Sequence, residues 1–131
     1  MKTAGTIIIS SLLFLSACTS APPSEPPSIT PGTPAQVEHY DRLMIRRAVL
    51  ARLRDPDSAR FSPIERAAEQ TNGDKVICGF VNARNGFGGY TGDTPYMAVM
   101  RSHLVAELAL GVGRETDAAL VTVCRQLGAQ I

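Results

Sequence analysis

Prolines divide this chain into a part that can pack and a part that cannot. Six of the nine prolines fall within residues 19–35, TSAPPSEPPSITPGTPA, among serines and threonines. This composition favours extended, polyproline-like conformations, at about 3 Å per residue, over a packed core. We therefore predict a tether that ends at residue 35 and a single small domain over residues 36–131. A proline-rich ligand for a recognition module is the alternative.

Residues 1–17, MKTAGTIIISSLLFLSA, have the layout of a signal peptide. Lys2 supplies the positive start, and the apolar run that begins at Ile7 is shorter than the roughly 20 residues of a membrane span. The segment ends in Leu15-Ser16-Ala17-Cys18, which resembles the lipobox of bacterial lipoproteins. The alternative is an ordinary signal peptide followed by an incidental cysteine.

The lipobox resemblance implies how the mature protein is anchored. Cleavage would leave Cys18 at the N-terminus, so that residues 18–35 form a lipidated cysteine and its tether. Acyl chains such as palmitate contribute about 0.8 kcal/mol per buried methylene, so more than one chain anchors a protein stably in a bilayer. Thr19 is not the aspartate that commonly retains such proteins in the inner membrane. The resemblance therefore implies a cell-envelope location, at the outer membrane facing the periplasm if the organism is Gram-negative.

The rest of the chain predicts an α+β fold. Residues 36–54 contain no Gly or Pro and end before Pro56, which predicts an N-terminal helix. Residues 75–82 are rich in β-branched side chains and follow an Asn-Gly turn signal, so they predict a strand. Weaker alternation over residues 95–100 and 103–110 predicts two more. We expect an antiparallel sheet of three to four strands and a C-terminal helix over residues 115–127.

Two cysteines remain once Cys18 carries lipid: Cys78 on the predicted strand and Cys124 on the apolar face of the last helix. In an oxidising compartment such a pair is expected to form a disulfide that joins the helix to the sheet. The alternative is a pair of free, buried thiols.

A glycine-rich segment, NARNGFGGYTGD over residues 82–93, interrupts the predicted strands. Its four glycines and two asparagines require unusual backbone angles or close backbone contacts. One hypothesis is a structured loop that displays its aromatic side chains to a partner; the alternative is a wide connection whose aromatics pack inward. The residues of the candidate partner-binding loop are Asn85, Phe87, Gly88, Gly89 and Tyr90.

The composition argues against several classes of function. The chain has 13 basic and 12 acidic residues, and Lys2 would leave with the signal, so no basic surface for nucleic acid is expected. No spacing of His, Cys, Asp or Glu predicts a metal site, and no nucleophile–base motif predicts a catalytic one. We therefore predict no cofactor and no enzymatic activity.

Two segments, LRDPDSARF (residues 53–61) and ICGFVNARNGFGGYTG (residues 77–92), resemble a pattern found in a group of small exported bacterial proteins without an assigned role. The resemblance implies a shared fold but assigns no activity. The matching positions are Leu53, Asp55, Pro56, Ser58, Ala59, Phe61, Cys78, Gly79, Val81, Asn82, Ala83, Asn85, Gly88, Gly89 and Tyr90.

These features favour a non-enzymatic envelope lipoprotein. Its expected partners are the lipid bilayer, through Cys18, and an unidentified envelope protein, through the glycine-rich loop or a sheet face. One alternative is a structural accessory subunit of a secretion or conjugation apparatus that docks through the helix at residues 36–54. Another is an envelope hydrolase or an inhibitor of one.

Overall fold

The computed structural model describes residues 29–131. The predicted signal peptide at residues 1–17 and the predicted lipidation site, Cys18, lie outside the described residues. The described part is α+β, with two helices and a five-stranded antiparallel sheet. Its elements, in chain order, are β1 (Thr33–Ala35), α1 (His39–Leu50), a 3-10 turn (Pro56–Ser58), β2 (Arg60–Glu69), β3 (Lys75–Asn82), β4 (Thr94–Arg101), β5 (Leu104–Leu110) and α2 (Arg114–Gln126).

The sheet has one strand more than the upper limit predicted from the sequence. Its order is β1-β2-β3-β4-β5, with each strand antiparallel to its neighbours. Strand β2 carries no clean alternation and contains Pro63, which ordinarily argues against a central strand. The register between β2 and β3 shifts between Phe61 and Glu65, so a bulge accommodates the proline.

The first strand, β1, overturns two expectations. It lies within residues 18–35, which were predicted to be tether, and it precedes α1, so the helix is not the N-terminal element of the domain. Pro34 is compatible with this position because β1 is an edge strand and needs hydrogen bonds on one side only. Gly32 also donates its backbone N–H to the carbonyl of Leu127 at 3.0 Å. The domain therefore begins before residue 36.

Helix α1 covers one face of the sheet. It lies within the predicted segment 36–54 but ends at Leu50, after which the chain turns. Ile45 and Val49 are buried on its inner side, where they pack with Ile77, Tyr96 and other residues of the sheet. Within residues 29–131, no helix is both long and apolar enough to cross a bilayer.

Helix α2 covers the opposite face and is covalently joined to it. The predicted disulfide is confirmed: Cys78 of β3 and Cys124 of α2 are bonded across 46 residues of chain, with 6.3 Å between their Cα atoms. Both cysteines are fully buried and pack with Val76 and Ala129. The sheet therefore lies between two helices, one on each face.

Candidate functional site

The glycine-rich segment forms a closed loop over residues 84–90, called here the Asn85 loop. Arg84 and Tyr90 pair at its base as an isolated antiparallel bridge. The Asn85 backbone N–H donates to the Gly89 carbonyl at 2.9 Å, and the Gly88 N–H donates to the Asn85 carbonyl at 3.0 Å. Gly88 has a φ of 82°, which L side chains rarely adopt. The Asn85 side-chain oxygen also accepts from the N–H groups of Phe87 and Gly89. Backbone and side chain together thus hold the loop in one shape.

Ser58 fastens the Asn85 loop to the 3-10 turn. Its hydroxyl accepts from the Arg84 N–H at 2.8 Å and donates to the Asp55 carbonyl at 2.8 Å. Its carbonyl accepts from the Tyr90 hydroxyl at 3.0 Å. Ser58 is buried despite its polar side chain. The segments at residues 53–61 and 77–92, which carried the resemblance, therefore meet in one hydrogen-bonded unit.

The two aromatic side chains of the loop have different surroundings. Phe87 is 100 % exposed, so its ring does not pack inward. Tyr90 is 39 % exposed; its ring lies 4.6 Å from the Arg60 guanidinium carbon and 5.8 Å from that of Arg84. With its hydroxyl on Ser58, Tyr90 holds the base of the loop while Phe87 stands free near the tip. The Phe87 ring is therefore fully exposed, and the Tyr90 ring is exposed only in part.

An open cleft of about 380 Å³ lies beside the loop. Arg52, Arg54 and Arg84 line it, and we call it the arginine cleft. No Asp or Glu lines the cleft among the described residues, although the Asp55 carboxylate approaches the Arg84 Nε to 4.0 Å. Its apolar lining residues are Leu53, Val81, Ala83 and Val112. Positive charge and apolar surface therefore share one concave site.

A buried polar cluster beneath α1 has a structural role. The Glu65 side chain, only 4 % exposed, accepts hydrogen bonds from the Arg42 guanidinium and from the Tyr96 hydroxyl at 2.8 Å. Burial raises the pKa of Tyr96, and the hydrogen bond to Glu65 raises it further. Tyr96 therefore stays protonated and acts as a hydrogen-bond donor inside the core.

A second cluster lies at the turn between β4 and β5. The buried Asp41 carboxylate accepts from Lys75 Nζ at 2.9 Å and lies 3.8 Å from His103 Nδ1. The hydrogen bond to Asp41 raises the pKa of Lys75, which keeps its ammonium protonated and unsuited to act as a base. Among residues 29–131, no three His, Cys, Asp or Glu side chains gather to hold a metal ion. Of these sites, the Asn85 loop carries the fully exposed Phe87 ring, and the arginine cleft beside it is open to solvent.

We expect Ser58→Ala to loosen the loop. The change removes the hydroxyl that accepts from the Arg84 N–H and donates to the Asp55 carbonyl. Buried polar groups left without a hydrogen-bond partner cost about 1–3 kcal/mol of stability. Urea denaturation of the full chain measures that loss. The control, Thr122→Ala on the exposed side of α2, is expected to stay within about 0.5 kcal/mol. Equal stability of the two variants would contradict the anchoring role of Ser58.

Sequence reasoning named the loop residues but missed Ser58 and the arginine cleft. The contacts of Ser58 join positions 26 and 32 residues apart, so no local pattern reveals them. The one sequence feature that pointed to Ser58 was the resemblance to the small exported proteins, because Ser58 is one of its matching positions. Arg52 and Arg54 lie at the end of the predicted helical segment 36–54, where long charged side chains ordinarily extend into solvent. Compared with known proteins, the chain matches no family model, no curated protein and no solved structure.

Proposed function

We propose that this protein is a bacterial envelope lipoprotein, anchored through acylated Cys18, whose domain binds another envelope protein through the Asn85 loop. One observation carries the binding role: a fully exposed Phe87 ring on a loop held by its own hydrogen bonds. The anchoring role is supported by the lipobox-like sequence before Cys18.

The loop geometry suits recognition because it is organised before binding. Aromatic side chains rank among the strongest contributors to protein interfaces when they enter a pocket of the partner. A loop that keeps one conformation loses less entropy on association than a mobile one. Here Asn85 fixes the tip and Tyr90 fixes the base, so Phe87 is presented on a rigid support.

The buried disulfide is consistent with the envelope location. Disulfides persist in oxidising compartments and are rare in reducing ones. The Cys78–Cys124 bond, which joins α2 to the sheet, therefore supports an exported protein.

Site-specific photo-crosslinking tests the binding role. A benzoylphenylalanine placed at position 87 of the full chain, expressed in the producing cell, is expected to form a discrete adduct with one envelope protein. The matched position is Leu43, an exposed apolar residue of α1. An adduct at position 87 and none at position 43 supports the proposal. An adduct at position 43 alone would contradict it and favour docking through the helix.

Phe87→Ser separates binding from folding. Because the ring is fully exposed, we expect the free energy of unfolding to change by no more than about 0.5 kcal/mol. Loss of a central aromatic contact is expected to weaken partner binding about tenfold or more. Co-purification of the partner and thermal denaturation of the variant measure the two effects. A variant that loses stability and binding together would show that the ring is part of the core.

A further inference from the structure

The arginine cleft is continuous with the Asn85 loop. Asn85 and Gly86 of the loop also line the cleft. A Cβ atom built on Gly86 would lie 3.6 Å from Cδ of Arg54, so the loop backbone and that side chain are close neighbours. A partner segment that contacts Phe87 therefore reaches the cleft with the next few residues of its chain.

The charges of the cleft are mostly uncompensated. Arg52 and Arg54 are exposed and make no side-chain hydrogen bond or ion pair within residues 29–131. Arg84 has one carboxylate near it, that of Asp55, at the 4.0 Å limit of an ion pair. Its guanidinium also lies against the Tyr90 ring, which limits the orientations of the side chain. The cleft therefore favours a negatively charged ligand.

The residue type and the shape narrow the choice of ligand. A guanidinium binds planar oxyanions such as carboxylates through two parallel hydrogen bonds, which an ammonium cannot do. Leu53, Ala83 and Val112 add apolar surface beside the charges. The volume of about 380 Å³ falls within the range of ligand pockets, roughly 300–1,000 Å³. A concave site of this size admits an extended peptide and excludes the broad surface of a bilayer.

We infer that the partner presents an acidic side chain flanked by an apolar one, and that its carboxylate binds between Arg54 and Arg84 in the arginine cleft. This inference rests on the proposed function and names the chemistry of the partner. The apolar neighbour packs on Leu53, Ala83 and Val112, while the adjoining part of the partner meets Phe87.

Peptide titration of the full chain, purified in detergent and followed by amide NMR, tests the inference. The probe is the capped peptide acetyl-Gly-Leu-Glu-Leu-Gly-amide, and its control carries Gln in place of Glu. We expect the Glu peptide to shift the signals of Gly86, Thr94 and Val112, and the Gln peptide to bind at least fivefold more weakly. Arg54→Ala and Arg84→Lys are each expected to weaken binding at least fivefold. Arg47→Ala, which removes an exposed arginine of α1 outside the cleft, is expected to leave binding unchanged.

Three results would overturn the inference. The first is equal binding of the Glu and Gln peptides. The second is an equal loss from Arg47→Ala, which would indicate unspecific charge attraction. The third is that the peptide causes no shifts while phosphatidylglycerol vesicles shift the same signals. That result would indicate that the site binds a membrane surface.

The two proposals fail separately. An adduct at position 87 without binding of the Glu peptide would leave the proposed function standing and contradict the carboxylate site. Binding of the Glu peptide without an adduct at position 87 would support the carboxylate site and contradict the proposed function.

Discussion

Replacing Cys78 and Cys124 together with alanine is expected to lower the free energy of unfolding by about 4 kcal/mol. The disulfide closes a loop across 46 residues, and loss of loop-closure entropy in the unfolded chain predicts an effect of about this size. Small domains are stable by only about 5–15 kcal/mol in total. The disulfide therefore provides a large share of the stability of this domain.

The loss should be concentrated at α2. Cys124 is the only residue of that helix that is fully buried, so few other side chains hold the helix on the sheet. After reduction we expect hydrogen exchange to accelerate first in α2, while β3 and β4 stay protected.

Urea denaturation of the full chain with and without reductant measures this effect. Reduction is expected to destabilise the wild-type chain by about the same amount as the double alanine substitution. Reductant is expected to leave the double variant unchanged, which is the control. A difference below about 1 kcal/mol between oxidised and reduced protein would contradict a stabilising role for the disulfide.

Glu65→Ala is expected to destabilise the domain by about 3 kcal/mol, the second-largest effect. The change removes the acceptor of the buried Tyr96 hydroxyl and the carboxylate that Arg42 and Arg46 face. Breaking a buried ion pair costs roughly 3–5 kcal/mol. The lower end applies because the Arg42 and Arg46 side chains are 37 % and 38 % exposed, so water can take over part of their solvation.

Glu65→Gln is the matched control. Its amide oxygen still accepts from Tyr96 but carries no charge, so we expect a smaller loss of about 1–2 kcal/mol. The Tyr96 hydroxyl cannot readily turn to another acceptor, because the side chain packs closely over Gly79. A Cβ atom added at Gly79 would lie 2.5 Å from the hydroxyl oxygen of Tyr96. Equal losses for the alanine and glutamine variants, measured by urea denaturation, would contradict the role assigned to the Glu65 charge.

The sequence predicted the elements whose stability is local. Strand β3 was predicted at its observed bounds because β-branched side chains follow a turn signal. The face of α2 that carries Cys124 followed from helical periodicity. The disulfide followed from the cysteine count, since only two thiols remained to pair.

The missed elements depend on contacts between distant residues. Strand β2 contains Glu65 at a buried position, and that charge is acceptable only because Arg42 lies opposite it, 23 residues earlier in the chain. Strand β1 has a proline and only three residues, and it exists because β2 offers it an edge to pair with. In the candidate site, the position of Phe87 depends on Ser58 in the same way. Local propensity carries no information on such contacts.

The central claim of the proposed function is that Cys18 anchors the domain to a bilayer in an oxidising compartment, where the disulfide would form and the proposed partner would lie. Intact mass spectrometry of the protein extracted from the membranes of the producing cell tests it most directly. We predict a chain that starts at Cys18, carries diacylglyceryl and acyl groups there, and lacks two hydrogens for the Cys78–Cys124 bond. A chain that starts at Met1 with a free thiol at position 18 would contradict the account.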